Sequence, residues 1–215
     1  IVINNKPNGI NINQNCGAVD VNELSKKVVN KKADIGFAFD GDGDRLIVVD
    51  EKGKKVDGDK IIALFAKELS KSNKINSKFP VITTVMSNLG LEKYLSSKLK
   101  IKLKRSSVGD INVIQEMSKF KSNLGGEQSG HIILSDFSKT GDGILAALKV
   151  IEIISKNNNT TSKTFNLYKS FPQVKINIPF KKLSSSSLKF IENLNKKKPV
   201  IKDMRVLIRK SGTEP

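Results

Sequence analysis

The sequence is poor in the residues that mark several large classes of protein. Its 215 residues include a single cysteine, Cys16, which excludes a fold held together by disulfides and is typical of a reducing compartment. No apolar run is long enough to cross a bilayer, and the first residues do not resemble a signal peptide. We therefore expect a cytoplasmic protein without a membrane partner.

Aromatic residues are also scarce, with no tryptophan and two tyrosines, so the chain offers few surfaces on which nucleic-acid bases could stack. The net charge of +17 is nevertheless of the kind that nucleic-acid-binding proteins carry. The lysines are spread along the whole chain beside many Asn, Ile and Ser residues, a mixture that resembles an A/T-rich coding bias. We favour solvated surfaces and predict no nucleic-acid partner; a basic nucleic-acid-binding protein stays open as the alternative.

Short apolar runs alternate with amphipathic segments along most of the chain. The runs at 35–39, 46–49, 80–86 and 132–134 are typical of buried strands, and residues 101–103 predict a further short strand. Helical spacing of apolar residues is found at 21–30, 60–69, 90–99, 111–120 and 144–154. This alternation predicts an α/β fold with mixed, mostly parallel sheets flanked by helices. Beyond 161, a strand pattern at 174–178, a helical one at 183–194 and a strand at 204–208 predict part of an α+β C-terminal domain.

The same patterns divide the chain into three parts, which we place at 1–54, 55–160 and 161–215. A polar connector at 157–162 marks the second boundary. Because the chain starts at an isoleucine and stops inside an apparent loop, we expect it to be an internal part of a longer protein.

Three carboxylates stand at alternate positions in the stretch Asp-Gly-Asp-Gly-Asp-Arg, from Asp40 to Arg45. Such a cluster repels itself unless a cation lies among its oxygens, and the intervening glycines allow the backbone to curl around one. Oxygen ligands suit Mg²⁺ or Ca²⁺ better than zinc, so Asp40, Asp42 and Asp44 are predicted metal ligands. A solvated hairpin turn is the alternative. An EF-hand is excluded, because Arg45 takes the place of its obligatory glycine and strands flank the loop.

Two further loops carry concentrated polar groups. Residues 125–131 place Glu127, Ser129 and the only histidine, His131, on a glycine-flanked turn, as recognition of sugar hydroxyls requires. A structural turn is the alternative there. Near the end of the chain, cations, hydroxyls and a glycine form a candidate phosphate cradle, for which a frayed basic turn is the alternative. Its residues are Arg209, Lys210, Ser211, Gly212 and Thr213. Together the three loops point to chemistry on a phosphosugar.

The three loops, in this order, resemble those of the α-D-phosphohexomutase superfamily, most closely its phosphoglucosamine mutase branch. The stretches at 9–13, 84–91 and 140–143 also match that branch, so the resemblance covers nearly the whole chain. It implies four domains around a cleft, of which this chain holds the end of the second, the third and much of the fourth. The first domain, which carries a phosphoserine, would be missing, and we therefore expect the fragment alone to be inactive.

The resemblance also implies a reaction and a role for each loop. The family interconverts glucosamine 6-phosphate and glucosamine 1-phosphate, for UDP-N-acetylglucosamine and cell-wall precursors, through a phosphoserine and a bisphosphate intermediate. One Mg²⁺ per active site would bind Asp40, Asp42 and Asp44, with Arg45 supporting the phosphoryl group. Glu127, Ser129 and His131 would bind the sugar. The other phosphate would be held by Arg209, Ser211, Gly212 and Thr213. A phosphomannomutase or phosphoglucomutase of the same superfamily is the alternative, and a homodimer stays open.

One stretch departs from the branch pattern. The family's Lys-Val-Gly-Asp-Arg is replaced by Ser107 to Ile111, so two cations are lost, and Lys104 or Arg105 are candidates to replace them. Asp110 remains as a candidate catalytic acid/base; a helix N-cap is the alternative. Asp142 presents the same two alternatives.

Overall fold

The computed structural model describes residues 1–76, 78–176, 186–187, 189–190, 193 and 204–208. Within these ranges, seven strands and six α-helices form two sheets with helices packed on them. In chain order, the first elements are α1 (Asn22–Lys31), β1 (Ile35–Phe39), β2 (Leu46–Asp50) and β3 (Lys55–Val56). They are followed by α2 (Gly58–Lys71), β4 (Val81–Thr84), α3 (Leu89–Tyr94), β5 (Leu103–Ser106), α4 (Asp110–Phe120), β6 (Leu124–Gly126), β7 (Ile132–Leu134), α5 (Gly143–Asn157) and α6 (Thr161–Phe165).

The first sheet is an antiparallel meander in the order β1-β2-β3. Every residue of β2 is buried because its two faces pack into different cores. Ile47 and Val49 pack in a cluster with Val28 of α1. Leu46 and Val48 belong to the larger core, which includes residues of α2 and α5. This burial on both faces explains why β2 is a continuous apolar run rather than an alternating one.

The second sheet has the order β5-β4-β6-β7 and is mostly parallel. The central strand β4 pairs parallel to both β5 and β6, and β7 closes the edge antiparallel to β6. One face of β4 contributes Val81 to the larger core with α2, whereas Ile82 packs with Val113 and Met117 of α4. The predicted α/β class with helices on both faces is confirmed, and the parallel pairing lies in this second sheet.

Several details differ from the sequence patterns. The strand expected at 101–103 lies at Leu103–Ser106, and Ile101 is instead a buried loop residue. The last turn of the helix expected at 90–99 widens into a π-helix over Leu95–Leu99. Residues 174–176 and 204–208 form no strand, and most of the expected helix at 183–194 lies outside the described residues. None of the helices in the described ranges is long and apolar enough to cross a membrane.

Candidate functional site

The three acidic residues lie on the tight connection between β1 and β2. Strand pairing ends at Phe39 and Leu46, so residues 40–45 must reverse the chain direction. Asp40 closes the turn, since its Oδ1 accepts the Arg45 backbone N–H at 3.1 Å. Gly43 adopts φ +73°, a conformation that side-chain-bearing residues rarely take. As a result, one carboxylate oxygen from each of the three acids lies within 4.8 Å of the others.

The electrostatics of this turn fit a hard divalent cation. Arg45 partly balances the acids, because its Nε lies 3.3 Å from Asp40 Oδ2. Asp44 Oδ1 is 3.7 Å from that nitrogen, which is too long for a hydrogen bond, and it is buried without a hydrogen-bond partner. A buried carboxylate oxygen is costly unless something compensates its charge. Three oxygen donors with one such unpartnered atom are a donor set that suits Mg²⁺ or Ca²⁺.

His131 is buried against residues 40–45, the predicted metal-binding loop, which we call the metal loop. Its side chain is 3% exposed, and its Nδ1 lies 2.9 Å from Asp44 Oδ2. Gly141 packs on the ring so closely that a Cβ at this position would be 2.4 Å from it. The imidazole is therefore fixed from both sides, and the contact orients the Asp44 carboxylate.

Residues 125–131, the predicted sugar-binding loop, which we call the sugar loop, are joined to the metal loop by backbone contacts. The Leu46 N–H donates to Gly130 O at 2.9 Å, and Arg45 forms an isolated β-bridge with His131. On the other side, Gly143 N donates to Gly43 O at 2.9 Å. The two loops were predicted separately, and these bonds place them side by side.

The N-terminus of α2 packs against the sugar loop. The Gly58 N–H donates to Gln128 O at 3.0 Å, and a Cβ on Gly58 would be 2.0 Å from Glu127 O. Only glycine therefore allows this approach. The loop is held between the metal loop and a helix, which makes its side chains well positioned for recognition.

Glu127 and Ser129 form a polar pair on this loop. Glu127 is half-buried, and its Oε2 accepts the Ser129 hydroxyl at 3.1 Å, while Ser129 itself is exposed. Glu127 Oε1 accepts the Gly109 N–H at 3.0 Å, so the same carboxylate also orients the connection before α4. The arrangement offers a carboxylate and a hydroxyl together, which is what hydrogen bonding to vicinal sugar hydroxyls requires.

The two ambiguous aspartates differ in role. Helix α4 begins at Asp110 with Gly109 as its N-cap, so the N-cap alternative for Asp110 is wrong, and its side chain is exposed. Asp142 does cap α5, since its Oδ1 accepts the Leu145 N–H at 2.8 Å. Ile111 is 65% exposed. Asp110 therefore remains a predicted catalytic residue, and its carboxylate in the first turn of α4 also interacts favourably with the helix dipole.

Arg105 is not available to replace the cations lost at 107 and 111. Its Nη1 donates to Ser87 O at 2.8 Å and to Thr84 O at 3.2 Å. Its Nη2 lies 2.9 Å from a carboxylate oxygen of Glu92. The predicted phosphate-binding residues Arg209, Ser211, Gly212 and Thr213 lie outside the described residues.

The sequence patterns missed a buried acid beside this site. Asp59 in α2 is fully buried, and its Oδ2 accepts the Asn88 N–H at 2.7 Å. Burial raises the pKa of the Asp59 carboxyl to about 6, and the nearby Asp57 adds to this shift. The sequence did contain an indication of this burial. Asp57 is the N-cap of α2, so Asp59 is not needed as a cap, and the apolar residues that follow it belong to a buried helix.

Comparisons with known proteins place the chain among phosphosugar enzymes. Residues 57–171 match the family model of phosphoglucomutase/phosphomannomutase alpha/beta/alpha domain III, and residues 6–53 match that of domain II. A phosphoglucosamine mutase of Sulfurovum sp. is 46% identical over 216 residues, covering 100% of this chain and 48% of the relative. The chain thus spans about half the length of the curated relatives it matches.

Solved structures share the fold. A phosphoglucomutase/phosphomannomutase family protein from Burkholderia thailandensis superposes with a TM-score of 0.63 and 26% identity, over 70% of this chain and 32% of that one. An N-acetylphosphoglucosamine mutase from Aspergillus fumigatus, solved in complex with GlcNAc-6P and magnesium, has a TM-score of 0.58 and 21% identity. It covers 74% of this chain and 41% of that one.

Proposed function

The chain belongs to the phosphoglucomutase/phosphomannomutase family, and we propose that it forms part of the active site of a mutase that interconverts glucosamine 6-phosphate and glucosamine 1-phosphate. The observation that carries this proposal is the convergence of Asp40, Asp42 and Asp44 beside the Glu127–Ser129 pair. The name of the 46% identical relative supports glucosamine phosphate as the substrate. An N-acetylated form and hexose phosphates are the competing substrates.

We propose that Asp40, Asp42 and Asp44 hold one Mg²⁺. When bound, this ion supplies positive charge that stabilises the phosphoryl group during transfer. The unpartnered Asp44 oxygen and the magnesium bound by the Aspergillus neighbour support the assignment. Arg45, whose side chain is 39% exposed, retains part of its guanidinium for the same phosphoryl group.

The remaining residues bind and orient the substrate. Glu127 accepts and Ser129 donates or accepts hydrogen bonds with the sugar hydroxyls, and Asp110 at the exposed start of α4 is the candidate for proton transfer. The contact of His131 with Asp44 favours a role in orienting that carboxylate over direct contact with the sugar. Arg209, Ser211, Gly212 and Thr213 hold the phosphate that is not being transferred. A cytoplasmic location accords with the single cysteine.

The test compares turnover of glucosamine, N-acetylglucosamine, glucose and mannose 6-phosphates by the full-length protein with Mg²⁺. We expect glucosamine 6-phosphate to have the highest kcat/KM. Dominant turnover of glucose or mannose phosphate would favour the phosphoglucomutase or phosphomannomutase alternative and contradict the proposed substrate.

A further inference from the structure

The loop between β4 and α3, residues 85–88, holds a segment from much further along the chain. Asn88 makes two opposed hydrogen bonds with Phe171, 83 positions away. Its Nδ2 donates to Phe171 O at 2.8 Å, and its Oδ1 accepts the Phe171 N–H at 2.9 Å. This is the pair of bonds that a neighbouring strand would make, so it fixes both the position and the direction of the chain at Phe171.

Charged residues of α2 reinforce the same attachment. The buried Asp59 carboxylate accepts the backbone N–H of Asn88 and so fixes the loop. Lys60 donates to Tyr168 O and places its ammonium 3.6 Å from the centre of the Tyr168 ring. A cation over an aromatic ring is attractive, and more so when both are partly buried. The segment around 168–171 is thus held at two points.

Gln173 links this segment to the candidate sugar loop. Its Nε2 donates to Met86 O at 2.9 Å, and its Oε1 accepts from Gln128 Nε2 at 3.3 Å. Gln128 lies between Glu127 and Ser129, the proposed sugar-binding pair. The position of the segment and that of the sugar loop therefore depend on each other.

A second stretch of the C-terminal region attaches to the same loop. Arg205 Nη2 donates to Val85 O at 2.6 Å and to Ser87 O at 3.1 Å. Burial and the nearby Arg105 guanidinium lower the pKa of Arg205, which remains protonated because arginine starts far above neutral pH. Arg205 lies four positions before Arg209, which we assign to phosphate binding.

From these contacts we infer that the β4–α3 loop anchors the C-terminal region, and that Asn88 and Arg205 are positioning residues for binding of the substrate phosphate. Neither side chain touches substrate in this scheme. Asn88 fixes the chain at Phe171, and Arg205 fixes residues 204–208, which precede Arg209 in the sequence. The inference rests on the proposed function for its kinetic consequence, whereas its structural consequence is independent of any activity.

The test uses the full-length protein, with steady-state kinetics on glucosamine 6-phosphate and hydrogen–deuterium exchange. Arg205→Ala should raise KM about tenfold or more, since a hydrogen-bonded charge is lost, while kcat changes less than KM. Exchange should accelerate at 204–208 and stay unchanged at 40–45. Arg205→Lys should have a KM and exchange rates close to those of wild type, because the lysine ammonium can donate to the same two carbonyls.

Asn88 bonds to Phe171 and is also the N-cap of α3, where its Oδ1 accepts the Gly90 N–H at 2.8 Å. Its test therefore needs a variant that loses only the bonds to Phe171. Asn88→Ser retains a good N-cap but is too short to reach Phe171. We expect faster exchange at 166–173 and a raised KM in this variant. Lys26→Ala, which removes an exposed cation on α1, is the control and should leave both readouts unchanged.

Three outcomes would be informative. A KM within twofold of wild type together with unchanged exchange in Arg205→Ala would overturn the inference, as would a lower melting temperature with neither change. A wild-type protein that turns over none of the sugar phosphates would contradict the proposed function. In that case the exchange rates at 166–173 and 204–208 still decide the inference by themselves.

Discussion

Two loops that follow strands in this molecule are built in opposite ways. The β1–β2 loop brings one oxygen from each of three carboxylates within 4.8 Å of the others and leaves the buried Asp44 Oδ1 without a hydrogen-bond partner. The β4–α3 loop instead offers backbone carbonyls, which accept from the guanidinium groups of Arg105 and Arg205. In the first loop Arg45 balances only part of the charge of three carboxylates, whereas guanidinium groups of the chain already bind the carbonyls of the second. The difference supports our proposals that the first is a ligand site and the second an anchor.

The largest effect is expected where the metal loop loses a charge. Asp44→Asn keeps the shape of the side chain but removes an anionic ligand, so Mg²⁺ affinity should fall by at least about a hundredfold, because even a residue that only orients a metal ligand is worth 10–100-fold. Calorimetric titration of the full-length protein with Mg²⁺ measures this. Asp34→Asn, which removes an exposed acid elsewhere in the same part of the chain, is the matched control. Equal affinities in Asp44→Asn and wild type would remove the distinction between the two loops.

A smaller effect is expected in the pH dependence of the free energy of unfolding. It comes from Asp59, whose carboxylate accepts the backbone N–H of Asn88 in the β4–α3 loop. The pKa of Asp59 is raised to about 6 by burial, above the value of about 3.9 for an unfolded aspartate. The folded protein therefore binds a proton more readily between about pH 4 and pH 6, and the contribution of Asp59 to stability falls as pH rises through that window. Asp59→Asn retains an acceptor for the Asn88 N–H and removes the buried charge.

We expect the free energy of unfolding of Asp59→Asn and wild type to agree near pH 4 and to differ at pH 7.5, where the variant should be more stable by about 1–3 kcal/mol. Chemical denaturation at a series of pH values gives both curves. Parallel curves across the window would mean that Asp59 does not carry a buried charge at neutral pH.

The smallest effect is expected from Gln173, which bridges the β4–α3 loop and the sugar loop through Met86 and Gln128. Gln173 is exposed, and its bond to Gln128 is 3.3 Å long, so Gln173→Ala should change KM by no more than about threefold. Its effect should add to that of Asp44→Asn, since the two residues share no partner. A coupling energy above about 1 kcal/mol in that double-mutant cycle would show that the loops act as one unit.

The two polar loops could be identified from the sequence because their polar groups lie close together along the chain, and their roles in metal and sugar binding stay predictions. The Asp40–Asp44 stretch and the Glu127–His131 stretch each contain their own polar groups, and the apolar runs beside them predicted the flanking strands. The α/β class followed from the same runs. What the sequence left open was the arrangement, since nothing in either stretch indicates that Leu46 donates to Gly130.

The anchor was not predictable, for a physical reason. Its acceptors are the carbonyls of Val85 and Ser87, and every residue has a carbonyl. The donor that attaches the C-terminal region, Arg205, lies 120 and 118 positions away from them, and only the folded chain brings it near. Likewise, the role of His131 beside Asp44 was hidden, because a histidine on a polar loop matches sugar binding and carboxylate orientation equally well.

The most direct test of the central claim is the position of a bound divalent cation. Crystals of the full-length protein soaked in Mn²⁺ would show it by anomalous scattering. We expect one strong peak within about 2.5 Å of a carboxylate oxygen from each of Asp40, Asp42 and Asp44. A peak elsewhere with none at these three residues would contradict it.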